Sequence, residues 1–170
     1  KKNNGFISFE DLESYESIYR NPVVGTYRGY TIVSMGPPSS GGVLLIQMLN
    51  MLENYDLENM QRNSTEFVHL LTEVQRLAYA DRAVHLGDPD FWQNPIQMLT
   101  SKQYAKERLK LISSSTATAS TKIAAGNQLS ESMETTHYSV MDKEGNTAGI
   151  TTTINLSYGN KKIVDGAGFL

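Results

Sequence analysis

Residues 43–55, VLLIQMLNMLENY, are apolar almost all round a helical wheel. A helix of that kind cannot leave a whole side in water, so other elements must cover it on nearly every face. The segment is therefore read as a buried helix. The preceding GPPSSGG, residues 36–42, reads as a rigid turn running straight into that helix, with Ser39 or Ser40 as N-cap.

Further elements are legible on both sides of it along the chain. VVGTYRGYTIVSM, residues 23–35, is rich in Val, Ile, Thr and Tyr, and Arg28-Gly29 suits a tight turn between two strand arms. Upstream, Ser8 and Asp11 have the spacing of a capping box, which predicts a short helix. Downstream, Asn63 and Glu66 have the same spacing. Phe67, Leu70, Leu71, Val74, Leu77 and Ala78 follow a period near 3.6, and Gly87 sits at the natural stop. DPDFWQNP, residues 88–95, reads as a loop. Ser101 is placed to cap a last amphipathic, basic helix, KQYAKERLKLI.

Residues 113–134, SSSTATASTKIAAGNQLSESME, have few large apolar groups and read as a flexible linker. Strand patterning returns abruptly after it. THYSVM and TAGITTTINL flank DKEGN, a typical hairpin loop. With 142–146 as the loop, Met141 faces Thr147, and an antiparallel ladder then sets Thr135 opposite Thr153. Thr153 and Asn155 share one face. Directly opposed Cβ atoms lie about 4.5–5.5 Å apart, which suits a hydroxyl–hydroxyl hydrogen bond. A shift of one residue in the loop would undo this pairing.

Bulk properties exclude several function classes. The 170 residues suffice for one ordinary domain. A net charge of −3, with no dense Lys/Arg cluster, argues against a nucleic-acid surface. The absence of cysteine excludes disulfides, thiolate metal sites and a cysteine nucleophile. No apolar run approaches the roughly 20 residues of a membrane span, and the N-terminal KKNNGFISFEDLESY does not read as a signal peptide. Other chemistry-bearing residues have plainer readings. His137 lies next but one to Thr135, while His69 and His85 fall on helices. Asp88 and Asp90 are two carboxylates without further ligands, so they read as a helix-terminating turn rather than a metal site. PPSSGG lacks the Lys-Ser/Thr ending of a phosphate loop, and Asn63-Ser64-Thr65 is explained by helix capping.

The run ETTHYSVMDKEGNTAGITTTIN, residues 134–155, resembles the processing site and first strands of the small subunit of gamma-glutamyltranspeptidases. YRGYTIVSMGPPSSGG, AYADRAVHLGDPDF and LTSKQYAKERL resemble the C-terminal part of the large subunit, in the same order. The resemblance implies an α+β fold, part of the αββα four-layer sandwich of N-terminal-nucleophile hydrolases. It implies three regions: 1–112 as the end of the large subunit, 113–134 as a linker, and 135–170 as the start of the small subunit. Glu134–Thr135 matches the scissile bond of self-cleavage, Thr135 the nucleophile, and Thr153 the threonine that hydrogen-bonds it. Asn155 matches a residue that holds the glutamyl group.

The implied activity is gamma-glutamyl hydrolysis or transfer, from glutathione and related compounds to water, an amino acid or a peptide. It needs no cofactor and no metal, and it implies a periplasmic or extracellular setting. The remaining large- and small-subunit segments of the precursor are the expected partners, with no nucleic acid and no membrane span. These segments would supply the arginine, serines and acidic residue that grip the substrate and the glycines of the oxyanion hole, so the 170 residues alone are expected to be inactive. The rival readings are a cephalosporin-type acylase, a poly-gamma-glutamate processing enzyme, and an inactive binding module of the same fold.

Overall fold

A computed structural model describes residues 7–123 and 136–152, together with 161, 163 and 166. The chain forms two compact units, Lys1–Gly126 and Asn127–Leu170. In the first, α1 (Phe9–Glu13) precedes a strand pair, β1 (Val23–Tyr27) and β2 (Tyr30–Ser34). Four helices follow: α2 (Gly41–Leu52), α3 (Thr65–His85), α4 (Ile96–Leu99) and α5 (Lys102–Leu109). A single 3-10 turn, Ser120–Lys122, comes after them. The second unit holds β3 (Thr136–Met141) and β4 (Thr147–Thr152). Helices with antiparallel strand pairs make the fold α+β, as expected.

The apolar helix α2 is the centre of the first unit. One side of it, Leu44 and Met51, packs with Leu70, Val74, Leu77 and Ala78 of α3 and Ala105 of α5. The other side, Val43 and Ile46, packs with Val23 of β1 and Leu99 of α4. Two apolar faces on one helix explain why the sequence shows no single stripe there. Each fully buried Leu, Ile or Val contributes about 1.5–3 kcal/mol. Gly25 on β1 admits this packing, since a Cβ there would lie 2.5 Å from Ile46 Cγ2.

The turn between β1 and β2 is tight, with Tyr27 paired to Tyr30. Arg28 and Gly29 both have positive φ, 48° and 85°, the geometry that matches the natural strand twist. A non-glycine residue in that region needs support. Arg28 has it: its N–H donates to Glu53 at 2.6 Å, and its guanidinium reaches the Tyr55 carbonyl at 3.0 Å.

Helix ends follow local chemistry, with some corrections. The Ser8–Asp11 capping box is present, and Ser101 accepts from the Tyr104 N–H. The cap of α3 is Ser64 rather than Asn63. Ser64 accepts from the Phe67 N–H at 3.2 Å, while Asn63 sits outside the helix at φ 62°. Neither candidate serine caps α2 in the usual way. Ser40 occupies the position, but its hydroxyl accepts from Arg82 Nε at 2.9 Å, a tertiary contact that outcompetes the local one. Gly87 ends α3 for a different reason than expected. Its φ is not positive; a Cβ there would come 3.1 Å from Trp92. The loop at 88–95 folds back, with Trp92 Nε1 donating to the His85 carbonyl and Asn94 accepting from the Gly87 N–H.

Candidate active site

The hairpin β3–β4 is pinned by its loop. Asp142 Oδ1 accepts from the backbone N–H groups of Glu144 and Asn146 at 3.0 and 2.9 Å, and Oδ2 accepts from the Asn146 side chain at 2.8 Å. Gly145, at φ 87°, supplies the left-handed residue. The Asn146 side chain first, then these backbone donors, hold the Asp142 carboxyl below its ordinary value. So fixed, the loop sets Met141 opposite Thr147, and the ladder runs through Ser139↔Gly149 and His137↔Thr151 to Thr136↔Thr152. This is the register expected from the sequence.

β3 begins at Thr136, the residue after Thr135, and β4 ends at Thr152, the residue before Thr153. Glu134, Thr135, Thr153 and Asn155 themselves lie outside the described residues. The backbone of His137 takes its rung opposite Thr151.

The remaining sequence candidates have structural partners. Asp90 forms a two-pronged ion pair with Arg20, at 2.8 and 3.3 Å. Asp88 accepts from the Asp90 N–H, and its carbonyl closes the turn to Phe91. Among the described residues no three His, Asp or Glu side chains gather as metal ligands. His69 Nε2 lies 2.8 Å from the Ser113 carbonyl. The Arg20–Asp90 pair also lines a cleft of about 820 Å3 with Tyr15, Met35 and Pro38.

One cluster was not foreseen. Asp81 of α3, 5% exposed, accepts from Gln47 of α2 and pairs with Arg108 of α5 at 3.1 Å. Tyr104 stands beside it. Burial, then the Asp81 charge and its hydrogen bond, push the Tyr104 phenol up. The cluster ties together the three helices that form the core. The available signal was Gln47, a polar residue interrupting an otherwise apolar helix, since a buried amide calls for a partner.

The family profile described as gamma-glutamyltranspeptidase matches residues 1–170. The chain belongs to the gamma-glutamyltranspeptidase family. It is 43% identical over 171 residues to a glutathione hydrolase proenzyme of Escherichia coli strain K12, covering 100% of this chain and 30% of the relative. It is 44% identical over 168 residues to the acylase ACY 1 proenzyme of Pseudomonas sp. strain SE83, covering 99% and 30%. Among solved structures, the gamma-glutamyltranspeptidase of Helicobacter pylori superposes with a TM-score of 0.68 at 47% identity, covering 76% of this chain and 38% of that one. The Pseudomonas nitroreducens enzyme complexed with L-DON gives 0.68 at 32% identity, covering 73% and 38%. These neighbours are N-terminal-nucleophile hydrolases. The chain thus spans about 30% of the length of the curated relatives it matches. No helix among the described residues is long and apolar enough to cross a membrane.

Proposed function

We propose that this chain carries the processing site and the nucleophile of an enzyme that hydrolyses or transfers gamma-glutamyl groups, glutathione among its donors. Family membership over the whole chain is the observation that carries this reading. The hairpin supports it: its register, whose last described rung is Thr136↔Thr152, agrees with the sequence expectation that Thr135 faces Thr153. Residues 1–112 then belong to the large subunit, 113–134 to the linker, and 135–170 to the small subunit. The rest of the precursor supplies the other walls of the site, and the enzyme works in the periplasm or outside the cell.

The chemistry follows from making Thr135 N-terminal. In the precursor its hydroxyl adds to the Glu134 carbonyl carbon, and the peptide C–N bond breaks in favour of an ester. The hydroxyl proton passes to the departing nitrogen. Water then cleaves the ester, leaving a Glu134 carboxylate and a free Thr135 amine. That amine has an intrinsic pKa of about 7.7–8.0, close to the ideal for a base at neutral pH. It takes the hydroxyl proton as Thr135 attacks a gamma-glutamyl amide and returns it to the leaving amine. Water or an acceptor amine resolves the acyl ester. The Thr153 hydroxyl polarises Thr135 in both reactions, and Asn155 holds the amino or carboxyl end of the glutamyl group.

Intact-mass spectrometry of the precursor beside Thr135→Ala tests this. Two fragments, the smaller beginning at Thr135 and absent from the mutant, are expected, and the cut protein should release amine from a gamma-glutamyl anilide. An uncut wild type rules out self-activation. A cut enzyme that acts on cephalosporin side-chain amides and not on gamma-glutamyl amides rules out the substrate.

A further inference from the structure

Among the described residues β1 and β2 pair only with each other. Their two-residue turn makes Tyr27↔Tyr30 a hydrogen-bonded pair, so Gly25↔Ile32 and Val23↔Ser34 are hydrogen-bonded as well. In the alternate pairs, Thr26↔Thr31 and Val24↔Val33, the backbone N–H and C=O groups point away from the partner strand. Thr26 agrees with this assignment: its carbonyl oxygen accepts from Lys102 Nζ at 2.7 Å, outside the pair.

The two edges are unlike. β1 enters behind Pro22, and Lys102 stands on its edge at Thr26. Proline and lysine are residues that keep an edge from pairing. β2 reads Tyr-Thr-Ile-Val-Ser, residues 30–34, with no charge, no proline and no bulge. No backbone group among the described residues meets the outward N–H and C=O groups of Thr31 and Val33. The side chains point the same way. Ile32 packs against the core of Val43, Ile46 and Leu99 yet stays only partly buried. On the opposite face Val24 and Val33 are 58% and 62% exposed.

We propose that the free edge of β2 is completed by a strand from the part of the precursor outside these 170 residues, added beside Thr31 and Val33. The chain spans about 30% of the length of its curated relatives, so a precursor of that size has further sequence to supply it. So short an edge buries too little surface to hold a separate molecule. A strand of the same polypeptide pairs instead at the high effective concentration of a linked segment. Its side chains alternate, with the apolar ones toward Ile32 and the α2 core. This strand is independent of the gamma-glutamyl chemistry and shares with it only the reading that these residues belong to a longer precursor.

Residue-resolved amide hydrogen exchange on the complete precursor is the test. The Ile32 N–H bonds to β1 in any case and is the internal standard. The Thr31 and Val33 amides are expected to exchange within about tenfold of Ile32. If they exchange as an unprotected amide does while Ile32 is protected, the edge is free and the inference is overturned. Protection that fades on dilution means a second copy and overturns it too. A photo-cross-linker at the edge, Thr31→p-benzoylphenylalanine, identifies the neighbour, since adjacent strands bring side chains within about 5.5 Å. A joined peptide from outside the 170 residues is expected; one from within them overturns the choice of occupant. If that variant does not fold, wild-type exchange still decides whether the edge is paired. Neither readout depends on cutting, so a precursor that stays uncut fails the reading of Thr135 while the exchange data decide this edge.

Discussion

Gly42 stands against the backbone of Met35 so closely that a Cβ on it would lie 2.1 Å from the Met35 carbonyl oxygen. The same Cβ would come within 2.8 Å of Val23 Cγ2 and 2.9 Å of Ser34 Cβ. Backbone cannot move aside as a flexible side chain would. Gly42→Ala is therefore expected to destabilise the protein by about 3 kcal/mol despite alanine's better helix propensity. Gly41→Ala is the control. Its Cβ would meet only Ser39 Oγ at 3.5 Å, so it should be neutral or stabilising. Denaturant midpoints of the two variants check the contrast.

Asp81→Ala should cost about 3–5 kcal/mol, because it leaves the Arg108 charge, 14% exposed, without its buried counterion. Replacing both partners, as Asp81→Leu with Arg108→Met, should cost less than the single change. A double mutant no more stable than Asp81→Ala would show that the pair contributes more than mutual neutralisation.

Glu53 gives the fold an acid-sensitive contact. Its carboxylate accepts from Lys102 and from the Arg28 N–H, and these bonds, Lys102's first, hold its pKa below the ordinary 4.5. A folded-state pKa below the unfolded value gives stability that is present above the unfolded pKa and lost as pH falls through the folded one. Glu53→Ala should lower stability by about 1–2 kcal/mol at neutral pH. The gap from wild type should shrink as pH falls below 4.5. Melting curves across that range measure it, and a gap independent of pH would contradict the assignment.

Gly145→Ala should weaken the β3–β4 hairpin by about 1 kcal/mol, since φ 87° is strained for any residue with a Cβ. Nothing lies within 4 Å of that Cβ, so the effect is conformational rather than steric. If the register of the hairpin governs self-cleavage, the variant should also be cut more slowly. Backbone amide exchange across Thr136–Met141 reads the first effect directly.

What could be read from sequence was what local chemistry determines. Ser8 with Asp11, Ser101, Arg28-Gly29 and the 142–146 loop all act within a few residues, and each stands where its pattern set it. The apolar surround of α2 announced its burial. Errors arose where a distant group intervened. Ser40 gives its hydroxyl to Arg82, and Gly87 makes room for Trp92; the shift of the α3 cap from Asn63 to Ser64, by contrast, is a local, one-position miss. α4 is too short to carry a periodic signal. Asp81 reads as an ordinary exposed acid until α2 and α5 are brought against α3. Residues 113–123 read as linker because a hydrogen bond from the Thr118 backbone to Glu73 leaves no trace in side-chain composition. The register of β3 and β4 was legible because their own loop enforces it.

The closing of that loop by Asp142 also bears on the order of events as the chain folds. Every β3–β4 rung joins residues close in sequence, and such hairpins form in about 1–10 μs. The α2–α3–α5 core must instead draw together residues as far apart as Leu44 and Ala105, a slower search. The β3–β4 pairing is thus settled early, and assembly of the helical body is the later step.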